Sequence, residues 1–178
     1  MQSEKSALRR QMREALHARL DECLFRSKRV CEQLVGQADW ISARTVALFC
    51  PMPGEVDLLG LLPINGKRAI FPTVVGARLE WREVKSASEF VASALFANLR
   101  EPSAGASVAL SDADLVVVPG LAFTLSGKRL GRGGGFYDRA LAGLPATVKR
   151  IGACFEFQVF EDLPMESHDA VLDSVVVG

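Results

Sequence analysis

The chain opens on a helical repeat of apolar positions. Leu8, Met12, Ala15 and Leu16 fall on one stripe, which predicts a helix over residues 3–20. Asp21 reads as the N-cap of a second helix, running through Leu24, Val30, Cys31 and Leu34 to Gly36. The pattern then shortens. Residues 45–50 form an apolar strand stopped by Pro51, and a Pro/Gly loop leads to Asp57, which caps a short helix ended by Pro63. Strands follow at 67–71, closed by Pro72, and at 78–84, which holds Trp81. Residues 85–110 are less regular, with a helix near 89–97 and a loop around Glu101-Pro102. The run Leu115, Val116, Val117, Val118 is apolar without alternation, as in a strand covered on both faces. Residues 134–141 read as helix, and strands follow at 148–154 and 174–177. Strands alternating with helices predict an α/β layer fold with a largely parallel sheet.

Composition narrows the class. A chain of 178 residues with 49% hydrophobic and 24% charged positions fits one globular domain, 1–178, with the helical segment 3–36 packed on it. The net charge of zero, 21 cations against 21 anions, weighs against a nucleic-acid partner. Cys23, Cys31, Cys50 and Cys154 form no C-x-x-C pair, and with only His17 and His168 there is no zinc cluster. No segment is long and apolar enough for a membrane, and the N-terminus has no apolar leader, so the expectation is a reduced, cytoplasmic setting. Residues 4–29 do resemble an Arg-rich transit peptide, against which Glu14, Asp21 and Glu22 weigh.

The densest chemistry lies in residues 116–139, where an apolar strand stops at Pro119 and a turn leads to Lys128, Arg129 and Arg132 interleaved with glycines. Glycines let backbone N–H groups crowd around an anion, and the cations add charge, so the segment reads as a phosphate cradle. It is not a Walker A loop, because Gly120 and Gly127 lie too far apart and Arg129 follows Lys128. Nor is it the dinucleotide fingerprint, which needs glycine where Phe136 stands. The plain alternative is a tight turn into a helix. Lys5 and Arg9 share a helix face but alone would read as a solvated surface. Asp138 and Asp169 are candidate Mg²⁺ ligands, or else caps and surface acids. Glu55 follows a strand's carboxyl end, where α/β sheets place ligands. Trp81 and Phe136 are stacking surfaces or core. His168 beside Asp169 has no nucleophile motif for a triad.

These segments together resemble the 5-formyltetrahydrofolate cyclo-ligase family along nearly the whole chain. The resemblance rests on K-x-x-L-R at Lys5 to Arg9, E-V-D at Glu55 to Asp57, and Glu101-Pro102. Its core is PGLAFTLSGKRLGRGGGFYD over residues 119–138, followed by F-E-x-Q at 155–158, Leu163-Pro164 and His168-Asp169. Two positions depart from it: Thr124 stands where many members have Asp, and Gly134 where some have Lys. The resemblance implies a three-layer α/β sandwich of the sugar-isomerase and CoA-transferase-like type. It implies ATP- and Mg²⁺-dependent closure of 5-formyltetrahydrofolate to 5,10-methenyltetrahydrofolate, and a monomer is expected. Carried over residue by residue, ATP falls to Lys5, Arg9, Arg129, Leu130, Gly131, Arg132, Gly133, Gly134, Gly135, Phe136 and Tyr137. The folate falls to Cys50, Glu55, Trp81 and Phe136, the metal to Asp138 and Asp169, and transition-state help to Arg132 and Tyr137. A folate- or nucleotide-binding relative without turnover, and a small-molecule kinase, are the rival readings.

Overall fold

Two amphipathic helices lead the chain in a computed structural model that describes residues 2–166 and 169–178. The first, α1 (Gln2–His17), buries Met12 and Leu16. The second, α2 (Leu20–Val35), buries Cys23, Ser27, Val30 and Leu34. That stripe leaves Leu24 on the solvent side, 72% exposed. Asp21 is not the N-cap. Arg19 holds that position, and its guanidinium donates to the Ala15 carbonyl at 3.1 Å, finishing α1 as α2 begins. Asp21 falls in the first turn, where the helix dipole favours an acid.

A short helix, α3 (Ala38–Ser42), leads to β1 (Thr45–Ala47). The other sheet strands are β2 (Arg68–Val75), β3 (Arg78–Glu83), β6 (Ser107–Val108), β7 (Leu115–Val118), β10 (Lys149–Cys154) and β11 (Ser174–Val177). Two hairpins lie outside the sheet: β4 (Phe90–Ala92) with β5 (Arg100–Pro102), and β8 (Ala122–Phe123) with β9 (Arg129–Leu130). The seven-stranded order is β11-β10-β7-β1-β2-β3-β6, parallel from β11 to β2 and antiparallel beyond.

Alternation along the strands builds two cores. Val46, Leu115, Val117 and Ile151 face α1 and α2, while Ala47, Val116, Val118 and Cys154 face the layer holding α4 (Phe136–Leu141). Both faces are therefore covered, which is why the β7 run carries no polar position.

Three local expectations are corrected. Pro72 does not close a strand but sits inside β2, opposite Trp81. Ile70 gives its carbonyl to Leu48 at 2.9 Å and Val74 gives its N–H to Glu101 at 2.8 Å, both on the side away from β3. Pro72 lies between them on that same side, where β1 has already ended, so the ladder loses no donor. Residues 89–97 are not a helix. A 3-10 turn at Ala87–Glu89, boxed by Ser86 and Glu89, passes into β4, and Phe90 meets Phe71 edge-on at 4.9 Å. Glu101 and Pro102 consequently belong to a strand, and Glu101 closes the open edge of β2. The helix read at 134 starts at Phe136, with Gly135 at its N-cap. With six residues it contributes little macrodipole, so the loop's own N–H groups carry more of any anion binding. Among the described residues no helix is long and apolar enough to cross a membrane.

Candidate active site

The β8–β9 hairpin sets the frame. Thr124 is buried, and its hydroxyl accepts from the Lys128 N–H at 3.1 Å and pairs with Ser126 at 2.8 Å, so it closes the turn itself. Gln158 pins the strand leading in. Its amide donates to the Gly120 and Leu121 carbonyls at 3.0 and 3.2 Å, and its oxygen accepts from Phe155 N–H at 2.9 Å. Arg129 leaves β9 buried, donating to the Pro119 carbonyl at 3.1 Å and to Asp138. The backbone then turns through Gly133 and Gly135, whose φ values of +103° and +67° suit glycine.

This loop walls a cavity of about 320 Å³. Arg129, the run from Gly131 to Tyr137, and Asp138 line it together with Cys50 and Glu55. Glu55 accepts from Arg132 Nε at 2.6 Å and from Met52 N–H at 2.9 Å. The Arg139 guanidinium lies 5.1 Å from the ring centre of Phe136, and the Phe96 ring meets Phe136 at right angles with centres 5.9 Å apart. Gly134 leaves room for the Phe136 ring, because a Cβ there would lie 2.9 Å from its Cδ2.

Not every expected residue faces the cavity. Trp81 is 3% exposed and stands behind Tyr137, ring centres 6.3 Å apart; it supports the wall rather than lining it. Leu130 is buried in the core and is not among the lining residues. Lys5 is not a solvated cation. It is buried and donates to Asp169 at 2.6 Å and Glu166 at 3.0 Å, tying α1 to the C-terminal segment. Burial pulls the ammonium pKa down, but those two bonds outweigh it and hold the group above its ordinary value. Asp169 therefore partners Lys5 and is not among the lining residues. Arg9 lies against the loop, its Nε 3.0 Å from the Gly131 carbonyl. His168 lies outside the described residues. Among those residues no group of three or more His, Cys, Asp or Glu is placed to hold a metal.

The charge states are clear in direction. Burial pushes the Cys50 thiol up to about 12, so it stays protonated and is a poor nucleophile. Burial, with Glu55 nearby, also raises the Tyr137 phenol, leaving an O–H donor. Four buried side-chain polar atoms lack partners among the described residues, and three belong to the cavity wall: Arg129 Nε, Arg132 Nη2 and Tyr137 Oη. Buried unpaired donors are costly, and a cluster of them marks where an acceptor-rich ligand belongs. Sequence reasoning missed Phe96, which lines the cavity from the segment read as helix, Leu99 just beyond that segment, and the bracing roles of Gln158, Arg13 and Arg139. For Gln158 the F-E-x-Q motif was a signal without an assigned task.

Comparison with known proteins agrees over the full length. The 5-formyltetrahydrofolate cyclo-ligase family matches residues 1–178. A 5-formyltetrahydrofolate cyclo-ligase of Mycolicibacterium smegmatis is 33% identical over 147 residues, covering 76% of this chain and 74% of that protein. One from Escherichia coli K12 is 34% identical over 145 residues, covering 76% and 79%. The NMR structure of Aquifex aeolicus 5,10-methenyltetrahydrofolate synthetase superposes with a TM-score of 0.82 at 36% identity, covering 97% of this chain and 89% of that one. With fold, motif and cavity in agreement, the chain is an enzyme belonging to the 5-formyltetrahydrofolate cyclo-ligase family.

Proposed function

We propose that this enzyme closes 5-formyltetrahydrofolate to 5,10-methenyltetrahydrofolate at the expense of ATP, releasing ADP and phosphate. The observation that carries the reading is the trio of unpartnered donors on Arg129, Arg132 and Tyr137 around one cavity. In this reaction the formyl oxygen attacks the γ-phosphorus as the bond to ADP breaks. N10 then attacks the formyl carbon, phosphate leaves, and the N10 proton is lost. No protein nucleophile is required, which suits a wall whose one thiol is held neutral.

What the chain has to do is align two substrates and neutralise charge on the transferring group. Glu55 accepts pterin N–H donors. Arg132 and the Tyr137 O–H turn toward the transferring phosphoryl oxygens, and the loop N–H groups hold the phosphate chain. Phe136 bounds the cavity between the two. Mg²⁺ fits this wall through Asp138, whose second oxygen is left over from its bond to Arg129. An ion held by Asp138 would supply neutralisation of the nucleotide's charge. Asp169 does not fit that role while it pairs with Lys5.

The test is the near-ultraviolet absorbance of the methenyl product with purified protein, 5-formyltetrahydrofolate, Mg²⁺ and ATP. An ATP-dependent rise abolished by a chelator is expected. Folate binding without that rise would point to a binder that no longer cyclises. A phosphorylated product that accumulates would point to a kinase.

A further inference from the structure

Lys5, Arg9 and Arg13 are spaced four apart on α1 and project toward the same side of the helix. Lys5 is absorbed by Asp169 and Glu166, but the two arginines go elsewhere. Arg9 Nε donates to the Gly131 carbonyl at 3.0 Å, and Arg13 Nη2 donates to the Arg132 carbonyl at 2.9 Å. One helix thus grips two consecutive carbonyls of the glycine loop.

A trans peptide unit is planar, with its C=O and N–H pointing in opposite directions. Holding the Gly131 and Arg132 carbonyls toward α1 therefore turns the N–H groups of Arg132 and Gly133 away from it. Gly133 has φ of +103° and no side chain, so its peptide planes would otherwise rotate readily. A flip of either plane would replace a donor with a carbonyl oxygen, and that oxygen would repel a phosphate chain. Arg13 itself is exposed, so it fills no core space whose loss would explain an effect on the site.

We infer that Arg13 is a positioning residue of the nucleotide site, fixing with Arg9 the peptide planes of the glycine loop so that backbone N–H groups face the phosphates. The inference rests on the proposed use of ATP at this loop. It assigns Arg13 no contact with the folate, so its influence falls on one substrate alone.

The experiment compares the full-length protein with Arg13→Ala and with Arg13→Gln, the second serving if the first folds poorly. Calorimetry with Mg²⁺ and ATP, without folate, reads nucleotide binding; steady-state turnover reads the KM for 5-formyltetrahydrofolate. Loss of one charge-assisted hydrogen bond predicts roughly tenfold weaker ATP binding, with the folate KM within about twofold. ATP binding within about twofold of the unaltered protein would overturn the inference. Equal weakening toward both substrates would overturn it too, because that pattern belongs to general undocking of α1. The two proposals fail separately: ATP binding weakened as predicted, in a protein that makes no methenyl product, leaves Arg13 in place and removes only the cyclisation.

Discussion

Arg132 and Glu55, 77 positions apart, form one ion pair, with Nε 2.6 Å from Oε1. Both residues line the cavity, and the bond joins two groups assigned to different substrates. Glu55 is the more buried partner, its side chain 6% exposed against 29% for Arg132. The pair also leaves Arg132 Nη2 buried without a partner among the described residues. The guanidinium is therefore half committed, anchored at one nitrogen and open at another.

Arg132→Ala should lower kcat/KM by roughly 100-fold, the usual effect of removing a charge from a transferring phosphoryl group. It should also lower stability by about 2 kcal/mol, because the Glu55 carboxylate loses its counter-ion. Adding Glu55→Gln should restore part of that stability and none of the activity. Thermal unfolding and steady-state rates on the single and double variants separate the two effects. Activity within about twofold of the unaltered enzyme would remove Arg132 from the mechanism.

Lys5 anchors α1 in a buried cluster with Asp169 and Glu166. Lys5→Met should cost about 3 kcal/mol, since it removes a buried cation from beside two carboxylates. The sign of the pH dependence follows from the raised ammonium. Its contribution is complete below the unfolded value of 10.5 and fades as pH climbs through the higher folded value. Chemical denaturation should therefore show a gap between Lys5→Met and the unaltered protein that narrows only above pH 10.5. A gap that closes at neutral pH would refute the buried-cluster account.

The reach of the sequence can be judged from these same residues. Arg129, Arg132, Tyr137 and Asp138 were legible because one short segment carries them, and its glycines, cations and stop at Pro119 are local signals. The parallel strands were legible for a related reason: both faces are covered, so their apolar runs are unbroken. Lys5 was not. Its burial depends on Asp169, 164 positions away, and nothing near Lys5 announces that partner. The segment that became β4 failed in the opposite direction. Its local propensity allowed a helix, and the contact of Phe90 with Phe71 together with pairing to β5 decided for a strand. Trp81 shows a third limit, since an aromatic residue behind a cavity wall and one lining it look alike in sequence.

Cys50 lines the cavity, yet burial lifts its thiol to about 12. Below that value it is protonated, so chemistry through a Cys50 thiolate is not expected at neutral pH. Cys50→Ala should change the folate KM by a few-fold, through lost contact area, while kcat stays within about threefold. Turnover falling by orders of magnitude with unchanged folate binding would contradict this and require the sulfur in the chemistry.

Asp114 ties the starts of two parallel strands together. Its carboxylate accepts from the Thr45 and Arg44 N–H groups, each at 2.8 Å, while its backbone bonds to Thr45 and Lys149 at 2.9 Å. Those side-chain bonds, the Thr45 one first, hold the carboxyl below its ordinary 3.8. The stability it adds is present above 3.8 and is lost as pH falls through the lower folded value. The residue is exposed and screened by solvent, so Asp114→Ala should cost only about 1 kcal/mol at neutral pH. Urea midpoints followed into acid should show the two proteins converging below pH 3.8, because protonation takes from the unaltered protein what the substitution already removed. A difference that persists unchanged through that range would mean the Asp114 side chain acts by shape, and the link between β1 and β7 would then rest on the backbone bonds alone.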